Sequence, residues 1–391
     1  MKRKFSIALM VLFCFIAAHK SNAQYVTIPD ANFAAYLSQN FASCMNGREL
    51  DTLCAAASSV TKINVSELSI ADLTGITYFK NLDTLECYLN NLTSLPTLPA
   101  SLIYLDCWSN QLSSLPTLPA SLTGLSCFSN QLTSLPALPA SLVNLFCTNN
   151  SLTNLPTLPA LLNSLDCSNN QISSLPGLPE FLTTLFCYNN SLSSLPSLPA
   201  SLTTRLDCSN NQLGSLPALP SALVRLDCDH NTLSNIPTLP DSLTIFECNN
   251  NNLYCLPTLP ERLTALYAIG NHIACIPNIP SFLIYMDSTF QICTDTSNPN
   301  GCTILSVTGN TSAASVQTIE VFPNPSTGIV TINCPFTATG ITIAGMDGKT
   351  VYQISAGTTN YTIDLSGIAK GLYVAQVSSA NGVVTQKVVI Q

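Results

Sequence analysis

Residues 122–141 read LTGLSCFSNQLTSLPALPAS and give the clearest copy of a repeat that runs from Leu82 to about Pro280. The repeat has the form L-x-x-L-x-C-x-x-N-x-L-x-x-L-P-x-L-P-x-x, and its period is 20 residues except for one 21-residue step from Asn190 to Asn211. A fixed period of this length indicates a solenoid of stacked coils. The asparagine of the repeat recurs at Asn90, Asn110, Asn130, Asn150, Asn170, Asn190, Asn211, Asn231, Asn251 and Asn271.

Each repeat begins with alternating apolar and polar residues. In L-x-x-L-x-C the leucines and the cysteine face one side, which is the pattern of a short half-buried strand, and stacked strands form a parallel sheet. The asparagine three residues after the cysteine ends the strand, and its amide can donate to and accept from backbone groups of neighbouring coils. We therefore expect a cysteine ladder and an asparagine ladder inside a mainly β molecule.

The return segment of each coil has the sequence L-P-x-L-P. Its two prolines remove amide donors and hold φ near the polyproline II value, so this segment cannot be helical. The convex side should therefore be extended and lined by proline. The single 21-residue step inserts a residue near Arg205, just before Leu206, where we expect a local bulge.

The L-P-x-L-P segments with their 20-residue period resemble the short bacterial leucine-rich repeat of type III secreted effectors from enteric pathogens. The resemblance implies a leucine-rich-repeat solenoid with a parallel sheet and a polyproline II convex side. Some of these relatives carry a helical ubiquitin-ligase domain with a Cys-x-Asp motif, a spacing that Cys293-Thr294-Asp295 shares. No charged helical domain follows these residues, so a ligase-like effector is the weakest of the functions considered.

The first 23 residues have the pattern of a secretory signal peptide. Three basic residues at positions 2–4 precede an apolar run from Phe5 to Ala18, and Ser21-Asn22-Ala23 is a small-x-small cleavage site. Cleavage after Ala23 would take the formal net charge from −8 to −12, because four basic residues are removed. No other segment is a candidate for crossing a membrane, so we expect no integral membrane segment in the mature chain.

Residues 24–81 are predicted to form an N-terminal cap and a first, 22-residue repeat. Asp30 can cap a short amphipathic helix that begins at Ala31. From Val60 the spacing of apolar residues resembles an internalin-type coil that leads into Leu82. The solenoid is therefore expected to continue from this cap without a break.

The chain contains seventeen cysteines, of which Cys14 lies in the signal peptide. Neighbours in register on parallel strands lie about 4.8 Å apart and point the same way, whereas a disulfide needs Cβ atoms about 3.8 Å apart with converging directions. We therefore expect the nine repeat cysteines to be free, buried and unreactive. They are Cys87, Cys107, Cys127, Cys147, Cys167, Cys187, Cys208, Cys228 and Cys248.

Seven further cysteines lie outside the ladder, where an oxidising compartment would favour disulfides. We predict that Cys44 pairs with Cys54 across a polar loop of the N-terminal cap. We also predict that Cys293 pairs with Cys302 in the C-terminal cap. The remaining three are Cys255, Cys275 and Cys334. The first two occupy equivalent positions in adjacent coils, where either a disulfide or two packed thiols would fit.

The residues before and after each repeat cysteine face outward on the concave side. After three successive cysteines come Tyr88, Trp108 and Phe128, and Trp108 is the only tryptophan of the chain. Exposed aromatic side chains in a groove are common anchors for sugars, peptides and protein partners. We therefore predict a ligand-binding strip here; the alternative is a solvated face with local stacking.

Acidic residues precede several repeat cysteines, and three of them follow one another in successive coils. Like charges on neighbouring strands cost stability, so this run favours a basic or cationic partner. The alternative is that Arg205 and Arg225 simply neutralise the acids. The candidate ligand-binding acids are Glu86, Asp106, Asp207, Asp227 and Glu247.

No catalytic, metal-binding or phosphate-binding pattern is present in the sequence. His19, His230 and His272 lie far apart and have no nucleophile or ligand set around them. We therefore predict no catalytic residue, no metal, no cofactor and no enzymatic activity. The acidic net charge and the low content of charged residues, 9%, argue against nucleic acid as a partner.

A Ser/Thr/Ala-rich linker follows Cys302, and from Ile319 onward short alternating runs are separated by turn signals such as Asp347-Gly348 and Asn381-Gly382. About seven strands in about 70 residues indicate a small β-sandwich. The domain boundaries predicted for the whole chain are 1–23 (signal peptide), 24–81 (N-terminal cap and first repeat), 82–287 (solenoid), 288–302 (C-terminal cap), 303–318 (linker) and 319–391 (β-sandwich).

The last module resembles the type A sorting domain of the type IX secretion system, an export route of Bacteroidota. The resemblance lies in Val321-Phe322-Pro323-Asn324-Pro325, Gly328, Asp347-Gly348-Lys349, Asp364-Leu365-Ser366, Lys370-Gly371-Leu372-Tyr373 and the run from Gly382 to Lys387. It implies passage across the outer membrane by the secretion machinery and later removal of the domain. The residues identified as its sorting motif are Pro323, Asn324, Pro325, Gly371, Tyr373 and Lys387. An ordinary sandwich binding module is the alternative.

These features together predict an exported recognition protein, secreted or held at the surface of a Gram-negative bacterium. It would bind a protein or glycan ligand on its concave face. A passive structural or adhesive spacer without a specific ligand is the rival interpretation.

Overall fold

The N-terminal segment builds a cap on the first coil of the solenoid. The computed structural model describes residues 24–287, 290–294, 302, 319–345, 349–355, 357–379 and 382–391. The predicted signal peptide 1–23 and linker 303–318 lie outside the described residues, as does most of the predicted C-terminal cap 288–302. The elements of the N-terminal cap are β1 (Tyr25–Thr27), α1 (Ala31–Asn40), a 3₁₀ turn (Ala42–Cys44), β2 (Met45–Asn46), β3 (Glu49–Asp51) and α2 (Ala55–Ser59).

Helix α1 begins where the sequence predicts it. The Asp30 carboxylate accepts a hydrogen bond from the Phe33 N–H at 2.9 Å, which satisfies one of the free amides of the first turn. Phe33 and Leu37 of this helix are completely buried and join the same apolar core as the leucines of the coils. The cap therefore covers the open apolar end of the stack, as a solenoid requires.

Within the described residues, twelve short strands form one parallel sheet in chain order, with one strand for each coil. Leucines pair with leucines across it: Leu105 lies opposite Leu85 on one side and Leu125 on the other. The strands of this region are β4 (Lys62–Asn64), β5 (Thr84–Glu86), β6 (Tyr104–Asp106), β7 (Gly124–Ser126), β8 (Asn144–Phe146), β9 (Ser164–Asp166), β10 (Thr184–Phe186), β11 (Arg205–Asp207), β12 (Arg225–Asp227), β13 (Ile245–Glu247), β14 (Ala265–Tyr267), β15 (Cys275–Ile276), β16 (Tyr285–Met286) and β17 (Gln291–Ile292). Strands β15 and β17 lie outside the large sheet and pair only with each other.

The interior of the solenoid is built from the leucine and cysteine positions of the repeat. In the coil of β6, Leu102, Leu105 and Cys107 are completely buried, and the equivalent residues of the other coils are buried in the same way. The L-P-x-L-P segments contain neither helix nor strand. The predicted extended, proline-lined return path is therefore confirmed.

The extra residue of the 21-residue step is absorbed at Thr204, which is exposed and lies at a bend. Leu202 and Leu206 on either side stay completely buried. Register resumes at once, because Arg205 lies opposite Thr184 in the preceding strand. The predicted irregularity is therefore present and confined to one exposed position.

The disulfide predicted between Cys44 and Cys54 is present, but the predicted pairing of Cys293 with Cys302 is wrong. Cys293 is bonded to Cys275 and Cys302 to Cys255. Strand β17 runs parallel to β15 and places Cys293 beside Cys275, so both cysteines of the cap reach back to the coils instead of closing a loop together. Two disulfides thus fasten the segment after the last coil to the coils that hold Cys255 and Cys275.

The C-terminal residues fold into two antiparallel sheets that share one apolar core. One sheet has the order β18-β19-β22 and the other the order β21-β20-β23-β24. The predicted small β-sandwich is therefore confirmed. Its strands are β18 (Glu320–Phe322), β19 (Ile329–Asn333), β20 (Gly340–Gly345), β21 (Thr350–Ser355), β22 (Asn360–Asp364), β23 (Gly371–Ser379) and β24 (Gly382–Ile390).

Candidate functional site

The asparagine ladder fixes the turn that follows each concave strand. The Asn110 Oδ1 accepts from the Leu92 N–H at 3.0 Å, and its Nδ2 donates to the Cys87 carbonyl at 3.0 Å and the Cys107 carbonyl at 3.1 Å. One side chain thus satisfies backbone groups of two coils that no backbone partner reaches. The predicted ladder is confirmed, and it holds the residues next to each cysteine on the concave surface.

The nine repeat cysteines are free thiols and completely buried, as predicted. Burial raises the pKa of Cys127 to about 12, and it raises the pKa of the other repeat thiols as well. The Cys228 Sγ donates to the Glu247 carbonyl of the next coil at 3.3 Å, so even a buried thiol finds an acceptor. Such groups are protonated near neutral pH and act as small apolar side chains.

Tyr88, Trp108 and Phe128 form a continuous stack along the concave face. The ring centroids of Tyr88 and Trp108 are 4.9 Å apart and those of Trp108 and Phe128 are 5.0 Å apart, with an angle of 8° between the planes in both pairs. These separations match the spacing of parallel strands, about 4.8 Å, because each ring comes from the next coil. All three side chains are half-buried. The structure therefore brings the three predicted aromatics together as one surface.

A fourth aromatic residue, Tyr104, was missed by the sequence analysis. It lies two residues before Asp106 on β6, and its ring covers Gly124 of β7. A Cβ on Gly124 would lie only 2.6 Å from the Tyr104 Cδ2, so any larger residue would force this ring to move. The signal that could have found it is that Gly124 is the only glycine at this position of any repeat, directly after Tyr104 in the same column.

The acids beside the aromatic stack differ in their partners. Glu86 forms an ion pair with Lys62, whose Nζ lies 2.6 Å from the Glu86 Oε1. Asp106 is half-buried, and its Oδ1 is enclosed without a well-formed hydrogen bond. Burial raises the pKa of the Asp106 carboxyl, and the nearby Ser126 hydroxyl and Trp108 amide oppose the rise without reversing it.

The acids of β11, β12 and β13 form ion pairs with the two arginines of β11 and β12. The Arg205 Nε lies 2.6 Å from the Asp227 Oδ2, and the Arg225 Nε lies 2.9 Å from the Asp227 Oδ1. Arg205 also reaches Asp207 at 3.0 Å, and Arg225 reaches Glu247 at 2.7 Å. The structure shows the ion pairs on which the alternative considered for this run, neutralisation by Arg205 and Arg225, depends.

This ion-pair network is partly buried from solvent. Only 3% of the Asp227 side chain is exposed, against 31% of each arginine side chain. The pKa of Glu247 is raised to about 7, first because burial disfavours its charged form and then because of the negative charge of Asp227. The pKa of Asp207 is also raised, mainly by burial.

The residues identified as a sorting motif lie close together in the β-sandwich. The Asn324 Nδ2 donates to the Lys387 carbonyl at 2.6 Å, and its Oδ1 accepts from the Val389 N–H at 2.8 Å. The peptide bonds that join the two flanking prolines, Pro323 and Pro325, to the residues before them are both cis. This segment is therefore fastened along the edge of β24.

Gly371 and Tyr373 of the same motif begin strand β23 and lie next to β24. Tyr373 lies opposite Val388, and its hydroxyl donates to the Ala369 carbonyl at 2.6 Å. The motif therefore marks one corner of the sandwich, where β23 begins and β24 ends.

Three structural findings bear on other chemistry. In the part of the chain that the structure describes, no group of three His, Cys, Asp or Glu side chains is placed to hold a metal ion. Among these residues no helix has the length and apolar character needed to cross a membrane. Cys293, the cysteine of the Cys-x-Asp sequence, is bonded to Cys275 and has no thiol to act as a nucleophile.

Comparison with known proteins supports both halves of this description. Residues 320–391 match the family described as secretion system C-terminal sorting domain. The chain is similar to YopM from Yersinia enterocolitica WA-314, with 42% sequence identity and a TM-score of 0.53 over 54% of this chain and 47% of that chain. The chain thus spans about half the length of that protein.

Two further solved structures show weaker similarity. A leucine-rich effector protein, YopM from Yersinia pestis, has 34% identity and a TM-score of 0.47 over 54% of this chain and 73% of that chain. The functional domain of InlJ from Listeria monocytogenes, which includes a cysteine ladder, has 21% identity and a TM-score of 0.49 over 94% of this chain and 99% of that chain. No curated protein matches the chain.

The repeat sequence, the twelve-stranded parallel sheet of the described residues and the similarity to YopM agree with one another. The match at residues 320–391 independently accounts for the β-sandwich. The chain is therefore a leucine-rich-repeat protein that carries a secretion-system sorting domain of the type IX kind.

Proposed function

We propose that the protein is an exported recognition protein that binds a protein or glycan ligand on the concave face of its solenoid. The observation that carries this proposal is the half-buried stack of Tyr88, Trp108 and Phe128. Each ring is fixed by its neighbour, so the strip presents a large apolar surface with little side-chain freedom left to lose on binding. Rigid aromatic surfaces of this kind contribute much of the free energy of binding at interfaces.

Substitution of two rings of the stack tests the proposal. The full mature chain with Trp108→Ala and Phe128→Ala should lose the ligands that the unaltered chain binds on arrays of surface proteins and glycans. Tyr188→Ala is the matched control, because Tyr188 follows a repeat cysteine in the same column but has Ser168 and Ser209 as neighbours. Melting temperatures of both variants establish that they remain folded.

A passive surface spacer is the second candidate, since solenoids with regular faces can serve as spacers. In that case the aromatic stack only stabilises the coils, by about 0.5–1.5 kcal/mol for each ring pair. Identical binding by the unaltered chain and the double variant would favour the spacer over recognition.

We also propose that the β-sandwich directs export through the outer-membrane secretion machinery to the surface or the medium. The proposal is supported by the match of residues 320–391 to sorting domains. Deletion of residues 319–391 should leave the protein in the periplasm, as detected by fractionation and surface labelling. Surface display that persists after this deletion would contradict it.

A further inference from the structure

Asp106 lies beside the aromatic stack. Of the five acids first considered as ligand-binding residues, four have an ion-pair partner: Glu86 pairs with Lys62, and the acids of β11–β13 pair with two arginines. Within the described residues no such cation pairs with Asp106. Its neighbour in the same column, Glu86, is a like charge, which makes the position more favourable still for a cation.

The Asp106 carboxylate is also less well hydrogen-bonded than equivalent residues. The Oδ1 of Asp166 accepts from the Ser168 N–H at 3.0 Å, and the Oδ1 of Asp207 accepts from the Ser209 N–H at 3.2 Å. The Oδ1 of Asp106 is enclosed and accepts no well-formed hydrogen bond, although the Trp108 amide and the Ser126 hydroxyl lie near the carboxyl. A buried carboxylate oxygen left in this way is costly, and a cationic donor bound at the same carboxylate would offset that cost.

The C-terminal half of the same sheet shows what such a donor looks like. There the Arg205 guanidinium lies over the Phe186 ring, 5.1 Å from its centroid, and donates to Asp207 and Asp227. Asp207 occupies the strand position of Asp106, and Arg205 occupies the strand position of Tyr104. Strand β6 has the acid but lacks the arginine, because its first residue is Tyr104. The residue opposite the acid on the preceding strand is Glu86 rather than a phenylalanine, so the nearby rings are Tyr104 and Trp108.

We propose that Asp106, flanked by Tyr104 and Trp108, receives an arginine side chain of a protein ligand. This inference rests on the proposed recognition function and identifies the ligand as a protein. The guanidinium donates to the Asp106 carboxylate and lies against the Tyr104 ring, since Tyr88 and Phe128 cover both faces of Trp108. The neighbouring strand offers no obstacle, because the residue beside Asp106 is the small and buried Ser126.

Arginine is the occupant that the surroundings select. Its planar guanidinium can contact a carboxylate and an aromatic face at the same time, whereas a lysine ammonium is a compact, strongly hydrated charge. A glycan stacks on free ring faces, but Tyr88 covers one face of Trp108 and Phe128 covers the other. The formal net charge of −8 also attracts basic segments to the molecule.

Selection from a random 12-residue peptide library displayed on phage, with the full mature chain immobilised, tests the inference. We expect enriched peptides to contain arginine next to an apolar residue. Asp106→Asn should weaken binding of a synthetic enriched peptide about tenfold, as should replacement of its arginine by citrulline. Asp166→Asn is the matched control, because Asp166 lies in the same column with its Oδ1 already bonded, and it should leave affinity unchanged.

The outcomes separate this inference from the function on which it rests. Peptides that lose affinity with Trp108→Ala but keep it with Asp106→Asn would overturn the arginine subsite and leave recognition standing. Peptides that bind equally to all variants would overturn both the arginine subsite and the binding role of the aromatic stack. The absence of any enriched peptide would overturn the arginine subsite and leave the glycan arm of the proposed function standing. Enrichment of lysine with no preference for arginine would also overturn the assignment.

Discussion

At the C-terminal half of the concave face two arginines lie among buried acids and pair with every one of the candidate acids there. At the N-terminal half an acid in the equivalent strand position has no cation, and three stacked rings lie beside it. Both regions come from the same repeat, and their backbones pair in the same register. The comparison shows that an acid is paired where a basic residue stands two positions before the cysteine-adjacent acid position in its own or the preceding coil, and that Asp106 has no such residue in either place.

The largest expected effect lies in the C-terminal half. Arg205→Met combined with Arg225→Met keeps apolar stems in place but leaves Asp227, with 3% of its side chain exposed, without a cation. Removing the partners of a buried charge is strongly destabilising, so the free energy of unfolding at pH 8 should fall by about 3 kcal/mol. Urea denaturation followed by circular dichroism measures this change.

Asp106→Asn is the matched change in the N-terminal half. Because no cation loses its partner there, stability should change by no more than about 0.5 kcal/mol or should rise. A large loss of stability with Asp106→Asn, or none with the double arginine variant, would contradict the contrast between the two regions.

A smaller effect on stability is expected at Gly124, which lies beneath the Tyr104 ring in the N-terminal half. Gly124→Ala would place a Cβ 2.6 Å from the Tyr104 Cδ2, so the ring must move, and overpacking of this kind costs about 1–3 kcal/mol. Gly214→Ala is the control, since its Cβ would meet no atom within 4 Å. Melting temperatures should fall for the first variant only, and adding Tyr104→Ala to it should recover most of the loss.

The smallest expected effect is a dependence on pH that belongs to the C-terminal half. The pKa of Glu247 is raised from 4.5 to about 7 in the folded protein, so the unfolded chain gives up this proton at a lower pH than the folded protein does. The stability that the folded protein gains from binding this proton is present in full below about pH 4.5 and is lost as pH rises through about 7. Glu247→Gln should therefore flatten the fall in melting temperature between pH 5.5 and 8, and an equal fall in both proteins would contradict this assignment.

Much of the solenoid could be predicted because its information is local and repeated. The alternation of Leu102, Leu105 and Cys107 fixes which side of a strand is buried, and the same spacing fixes Asn110 as the residue that bonds the turn. The stack of Tyr88, Trp108 and Phe128 follows from the period alone, since equal positions in successive coils must lie about 4.8 Å apart.

The remainder depends on contacts that no repeat spacing specifies. The pairing of Cys293 with Cys275 requires the chain to return after the last coil and run parallel to β15. The position of Tyr104 requires its ring to turn across the sheet onto Gly124, a rotamer choice that the sequence does not state. The pairing of charges likewise depends on the reach of Arg205 to Asp227 on the next strand, which the repeat spacing does not specify.

The column of nine free thiols has a consequence for how the protein matures. A thiol that is fully enclosed and protonated resists oxidation, but the same thiol in a newly exported, unfolded chain does not. The coils must therefore fold faster than their thiols are oxidised. A disulfide formed early between two ladder cysteines would prevent their coils from stacking. A series of nearly identical coils favours fast folding, since each folded coil buries its own thiol and provides the surface on which the next coil forms.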